Sequence, residues 1–322
     1  MKKSVLMIAL AFGVTSAFAQ DLTSKKGEPI LPEAEDWAIS MNADPIFDFV
    51  GNAFNGSTSN AAPGAKWLNS NQTIVGKKFI DEKNAYRVLV RLGFTSQSFK
   101  NMVADDAAVG STVTFPAQPA QVEDKYKHGS TNIGIGVGKE MRRGKTRLQG
   151  FCGADVMIWI SSSKDKMIYG NTMSATSVAS TSGGTTTTTP MSTVWDTNTA
   201  SPTFGAASSS AGTSSRTTLS KSGMTFGFGL RGFIGAEYFL LPKMSIGMEY
   251  GWGIGYQMSG KGKTTTEEQG LDAGGNNQVA EIERETAGSS KFGFDTDLNQ
   301  GGLFGFRGSN TGSASLKVTL HF

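Results

Sequence analysis

The chain has 322 residues, 38% of them hydrophobic, with 30 Lys and Arg against 27 Asp and Glu for a formal charge of +3. Without Lys2 and Lys3, which belong to a leader, the balance is 28 to 27, or +1, and nothing in it calls for nucleic acid as a partner. The single cysteine, Cys152, has no internal disulfide partner and reads as a small apolar strand residue.

Residues 1–19 read as a secretory signal peptide: Lys2 and Lys3, an apolar run from Val5 to Val14, then Ala17, Phe18 and Ala19 before Gln20. No cysteine follows the cut, which sets a lipoprotein anchor aside. Beyond the leader no apolar stretch approaches 18 residues, so membrane crossing by helices is excluded. Residues 20–34, with Pro29 and Pro32, predict a loose periplasmic lead-in, and residues 35–322 a β-domain.

The first strand is expected over about Trp37–Asn52, with Ile39, Met41, Ala43, Phe47 and Phe49 on one face and Ser40, Asn42, Asp44 and Asp48 on the other. Pro45 implies a bulge. A loop over about 54–70 leads to a weaker strand, Thr73–Ile80, whose register the adjacent Lys77 and Lys78 leave open; Asp81–Asn84 turn the chain. The third strand sets Tyr86, Val88, Val90, Leu92 and Phe94 outward against Arg87 and Arg91. After a loop over about 99–128, a fourth has Ile133, Ile135 and Val137 outward and Gly134, Gly136, Gly138 and Glu140 inward, and Arg142–Lys145 form a turn. The fifth places Leu148, Cys152, Ala154, Val156, Ile158 and Ile160 outward, opposed by Arg147, Gln149, Asp155 and Trp159. Residues 163–220, mostly Ser, Thr, Gly and Ala, are too poor in large apolar groups to fold as a domain and predict a solvated loop.

The clearest alternation runs from Met224 to Met258, two stretches joined at Leu241, Pro242 and Lys243. Phe226, Phe228, Leu230, Ile234, Tyr238 and Leu240, then Met244, Ile246, Met248, Tyr250, Ile254 and Tyr256, share one face. Gly227, Gly229, Arg231, Glu237, Glu249 and Gly251, Gly253 and Gly255 share the other. Soluble strands average about 5 to 6 residues, whereas these are about 15; about 9 to 11 tilted residues cross a bilayer's hydrocarbon. A loop over about 259–309 precedes the last strand, where Ala314, Leu316, Val318, Leu320 and Phe322 alternate with Lys317, Thr319 and His321.

The expected architecture is all-β: an eight-stranded antiparallel transmembrane up-and-down β-barrel with long extracellular loops. Three short turns alternate with four long loops, which places both termini in the periplasm. Trp37, Tyr86, Tyr238, Tyr256 and Phe322 suit interfacial girdle positions; Trp252 falls nearer mid-strand.

Asn42–Pro45, Gly51–Asn55, and Gly76–Phe79 leading into Ala85–Arg87 resemble the outer-membrane β-barrel proteins of Bacteroidota, grouped with porin-family or OmpA-like barrels. The resemblance implies an outer-membrane location, and Val318, Leu320 and Phe322 resemble the C-terminal signal read by the barrel-assembly machinery.

Eight strands enclose a space about wide enough for side chains to fill. Asp44, Asp48, Arg87, Arg91, Glu140, Arg147, Asp155, Arg231, Glu237, Glu249 and Lys317 form the expected lumen charge network, near enough to balance for salt-bridged closure. The inward glycines either leave a narrow water-filled path or make room for Arg231, Phe233 and Trp159.

Gly134–Lys139 lacks the spacing of a phosphate-binding loop. His128 and Ser130 have the His-x-Ser spacing of outer-membrane deacylases, but Glu140 lies roughly 30 Å along the same strand at about 3.3 Å per residue, and Asp124 or Glu123 precedes that strand in a loop. His128 is therefore expected to be a rim histidine. The two histidines lie at opposite ends and make a metal site unattractive. The expected protein is non-enzymatic and without cofactor. Its partners are outer-membrane lipids and, through its loops, an extracellular ligand or host surface; the alternatives are a narrow passive channel and, third, a lipid-modifying enzyme.

Overall fold

A computed structural model describes residues 22–24, 26–43, 73–108, 116–118, 120–173, 178–179, 185–186, 191–199, 201–210, 215–295 and 314–322. The strands are β1 (Trp37–Asn42), β2 (Ile74–Asp81), β3 (Asn84–Ala104), β4 (Gln121–Arg143), β5 (Leu148–Ile168), β6 (Val178–Ala179), β7 (Thr185–Thr186) and β8 (Ser192–Trp195). They continue with β9 (Ala207–Ser210), β10 (Ser215–Lys221), β11 (Thr225–Leu241), β12 (Met244–Ser259), β13 (Gly262–Leu271), β14 (Asn277–Thr286), β15 (Ser289–Asp295) and β16 (Ala314–His321).

Eight of these close a ring in the order β1-β2-β3-β4-β5-β11-β12-β16, each antiparallel to both neighbours, with β16 returning to β1. They are the eight strands expected from the alternation. The residues of the first expected strand beyond Ala43, including Asp44 and Asp48, and the loop over about 54–70 lie outside the described residues.

Cross-strand register carries the alternation around the ring. Val88 pairs with Val137, Val137 with Val156, Val156 with Leu230 and Leu230 with Ile254, an outward row spanning five strands. Trp37, Ile39, Ile74, Ile80, Leu320 and Phe322 continue an exposed apolar exterior over the other three. On β3 Leu92 and Phe94 are 64% and 65% exposed while Arg87 is 1% exposed, so apolar side chains face out and the charge faces in. Trp252 lies over Gly232 opposite it on this outer face, where an added Cβ would meet the indole at 3.0 Å.

Inside, large residues sit beside glycine in each row. Trp159 lies between Gly134 and Gly227, and Phe233 between Gly153 and Gly251. A Cβ on Gly227 would overlap the Trp159 indole, one on Gly153 the Phe233 ring, and one on Gly251 would lie 2.6 Å from the Arg231 guanidinium. The glycines therefore make room for bulky partners, as small-beside-large packing in a narrow ring requires. Gly227→Val should cost about 1 to 3 kcal/mol by overpacking, read as a lowered urea midpoint; an unchanged midpoint would mean the interior is loosely filled.

The ladder outruns the apolar alternation. β3 and β4 pair without interruption from Asn84 and Met141 to Ala104 and Gln121, and β4 and β5 up to Lys125 and Ile168. The expected loop over 99–128 is thus corrected: strand occupies 99–104 and 121–128. β6 to β9 and all but the last residue of β10 fall within 163–220, and β13 to β15 within 259–309. Beyond Phe94 both faces carry Thr, Ser, Gln and Lys, so hydrogen bonding continues where no apolar period marks it.

The short connections are built by local chemistry. Asp81 Oδ1 accepts from the Lys83 and Asn84 amides at 2.7 and 2.8 Å, an Asx-type turn. At Pro242–Lys243, Lys243 takes φ 63° and donates from Nζ to Asp36 at 2.7 Å.

Candidate functional site: a charged interior and a cleft above it

Among the described residues, ion pairs inside the ring join four carboxylates to five cations. Glu140 meets Lys77 Nζ at 2.9 Å, Arg142 Nη1 at 3.0 Å and Arg87 Nη1 at 3.3 Å. Glu249 meets Arg231 Nη2 at 2.6 Å, Lys317 Nζ at 2.8 Å and Arg87 Nη1 at 3.1 Å. Asp155 takes Arg231 Nη1 at 3.1 Å with Arg87 Nε at 3.6 Å, and Glu237 takes Arg142 Nη2 at 2.5 Å with Lys77 and His321 at 3.7 and 3.6 Å. The Arg87 guanidinium also lies 3.8 Å from the Phe233 ring centroid. One connected network thus ties β2, β3, β4, β5, β11, β12 and β16 together. A dry interior demands such pairing, because an unpaired buried charge is far costlier than a paired one.

Of the residues expected in this network, Arg87, Glu140, Asp155, Arg231, Glu237, Glu249 and Lys317 are brought together. Arg91 is buried on the same face of β3. Arg147 stands apart and donates to the Phe239 and Leu240 carbonyls at 3.5 and 3.3 Å, because it precedes β5 at a turn. Sequence reasoning missed Lys77, Arg142 and His321. Lys77 is buried while Lys78 points out to Glu35 at 2.9 Å, so the adjacent lysines mark opposite faces. Arg142 belongs to β4 and not to a turn. His321 packs against Phe79 and Phe239 with ring centroids 5.6 and 5.1 Å away.

Above the apolar exterior, β3, β4 and β5 project into a second ordered region. Tyr126, Met167 and Trp195 pack together with Phe99, Tyr169 and Phe204 against them. Asp124 accepts from the Gly170 amide and from the amide and hydroxyl of Thr193, at 2.8, 2.8 and 2.9 Å, fastening β8 to β4. Residues 163–220 are expected to be a solvated loop, too poor in large apolar groups to fold as a domain. The correction is physical: four of the large apolar or aromatic groups they do have, Met167, Tyr169, Trp195 and Phe204, pack on Phe99 and Tyr126 from outside that segment.

His128 is buried in this region. Its Nδ1 lies 2.7 Å from Asp165 Oδ1, which also accepts from the Tyr126 hydroxyl at 2.6 Å, and Phe204 meets the imidazole edge-on at 5.3 Å. The acid beside His128 is Asp165 on β5, not Glu140, Asp124 or Glu123. Among the described residues no hydrogen bond joins His128 to Ser130.

A cleft of about 400 Å³ opens beside this cluster, between β5, β8 and β10. Arg216 lies in its wall, donating from Nε to Glu267 at 2.7 Å and from Nη2 to the Asn171 carbonyl at 2.8 Å, with its guanidinium 4.4 Å from the Tyr169 ring centroid. Burial pushes the Tyr169 hydroxyl up to about 12. Burial and then the hydrogen bond to Asp165 raise Tyr126 as well. Both phenols therefore stay protonated donors at neutral pH.

These features define an all-β antiparallel protein with a ring of eight strands, an apolar exterior and a charged interior. No family model matches the chain, and no curated protein matches it either.

Proposed function

We propose that the chain is an integral outer-membrane protein, an eight-stranded transmembrane β-barrel of the porin-family or OmpA-like kind found in Bacteroidota, non-enzymatic, with a closed lumen and an ordered extracellular head for contact with a ligand or partner. The observation that carries the reading is the exposed apolar exterior on all eight ring strands, set around buried ion pairs. In water so large an apolar surface drives association; in lipid it is the required face, and ring closure leaves no open backbone edge where the ring strands pair. The expected signal peptide, periplasmic termini and C-terminal assembly signal agree with export to that membrane. The filled interior supports a closed barrel over a narrow channel.

The test is electrophoresis of the full chain from the membrane fraction with and without boiling. A compact barrel gives an unboiled species of shifted mobility that boiling abolishes. Recovery of the chain as a stable monomer in detergent-free periplasm would overturn the proposal.

A further inference from the structure

The cleft beside the aromatic cluster has the dimensions and fixed polar wall of a small-molecule site; such pockets run from about 300 Å³ upward. Two residues of its lining each carry a buried donor, Arg216 Nη1 and Trp195 Nε1, with no hydrogen-bond partner among the described residues. Buried donors are almost always satisfied, so the two single out acceptors not supplied by the described residues. Both are shut off from bulk water, and seating an acceptor against them takes a side-chain adjustment of Trp195 or Arg216. The cleft is also lined by Tyr169, Asp165 and several serines and threonines.

The charge balance narrows the ligand. Arg216 is already paired with Glu267 at 2.7 Å and Asp165 lies in the same wall, so no uncompensated positive charge invites an anion. Aromatic rings beside these two donors and a carboxylate acceptor match a ring that carries hydroxyls on its edge and C–H groups on its face. We propose that the cleft binds a neutral carbohydrate, one or two sugar units at the end of a glycan, through Trp195, Arg216 and Asp165. The proposal rests on the head alone and not on whether the ring lies in lipid.

The test is calorimetric titration of the full chain in detergent with glucose, galactose, mannose and N-acetylglucosamine, and with glucuronate as the anionic counterpart. At least one neutral sugar should bind saturably with a Kd of about 1 mM or tighter, and glucuronate more weakly. Trp195→Phe, which keeps an aromatic ring but removes the donor, should weaken binding about 3- to 10-fold, the worth of one neutral hydrogen bond. Arg216→Gln should weaken it at least as much; because Arg216 also braces Glu267 and Asn171, Trp195→Phe is the deciding variant. Failure of every neutral sugar to saturate at about ten times that concentration overturns the proposal, as does preference for glucuronate or unchanged affinity in Trp195→Phe. Loss of sugar binding with the unboiled gel species intact counts against the cleft alone, and loss of the gel species with sugar binding intact counts against the barrel alone.

Discussion

Glu249→Gln should destabilise the protein by about 3 to 5 kcal/mol, the usual cost of removing one partner from a buried ion pair. The substitution keeps the volume and deletes only the charge, leaving Arg231, Lys317 and Arg87 within 2.6 to 3.1 Å of a neutral amide. Urea unfolding of detergent- or vesicle-refolded protein, followed by the boiling-sensitive gel shift, reads the change as a lower midpoint. Adding Lys317→Gln should recover part of the loss, because it removes one of the cations left in excess; neighbours in one network couple by about 0.5 to 3 kcal/mol. A midpoint for Glu249→Gln within the scatter of surface substitutions, about 0.5 kcal/mol, would mean water reaches the carboxylate and the interior is an open path. The network is not thereby a device for raising stability: replacing a whole buried ion cluster by apolar groups is often neutral or favourable. What it supplies is register, since Glu140 and Glu249 meet their cations only if β2, β3, β4, β12 and β16 all pair as observed.

How much of this was legible in the chain follows from where one face differs from the other. Phe228, Leu230 and Ile234 against Gly229, Arg231 and Phe233 mark β11 because the outer face is uniformly apolar and the inner face is small, aromatic or charged. The same contrast, extended over eight segments, yields the ring and seven members of its network. It vanishes above Phe94 and Ile133, where both faces carry polar groups, so the upper halves of β3, β4 and β5 left no periodic trace. Lys77 was illegible because a lysine pair reads as a break in alternation, although alternation is what separates its members. The head was hidden for another reason: Trp195 and Phe204 gain their packing from Tyr126 and Phe99, some 70 to 105 positions earlier, and a window over the Ser- and Thr-rich segment contains none of those partners. Asp165 beside His128 is likewise a cross-strand neighbour that sequence spacing does not reveal.

Leu230→Arg and Leu240→Arg together test what wets the outside of the ring. Both side chains point outward, at 56% and 42% exposure, on the same face of β11. Leu230 sits within the row that joins Val156 to Ile254, whereas Leu240 stands beside the Pro242 turn. If hydrocarbon surrounds the ring, arginine at a central outward position costs about 2 to 4 kcal/mol in the equilibrium for folding into vesicles, and near the interface about 0 to 1 kcal/mol. Leu230→Arg should therefore lower the folded fraction steeply while Leu240→Arg leaves it almost unchanged. Water on that face reverses the expectation, since arginine for an exposed leucine then lies within about 0.5 kcal/mol of neutral at either site. Depth dependence is the discriminating quantity, because a general intolerance of substitution would penalise both positions alike. Equal effects at Leu230 and Leu240 would remove the reason for placing the exposed apolar exterior in a bilayer and leave it as a surface for another protein.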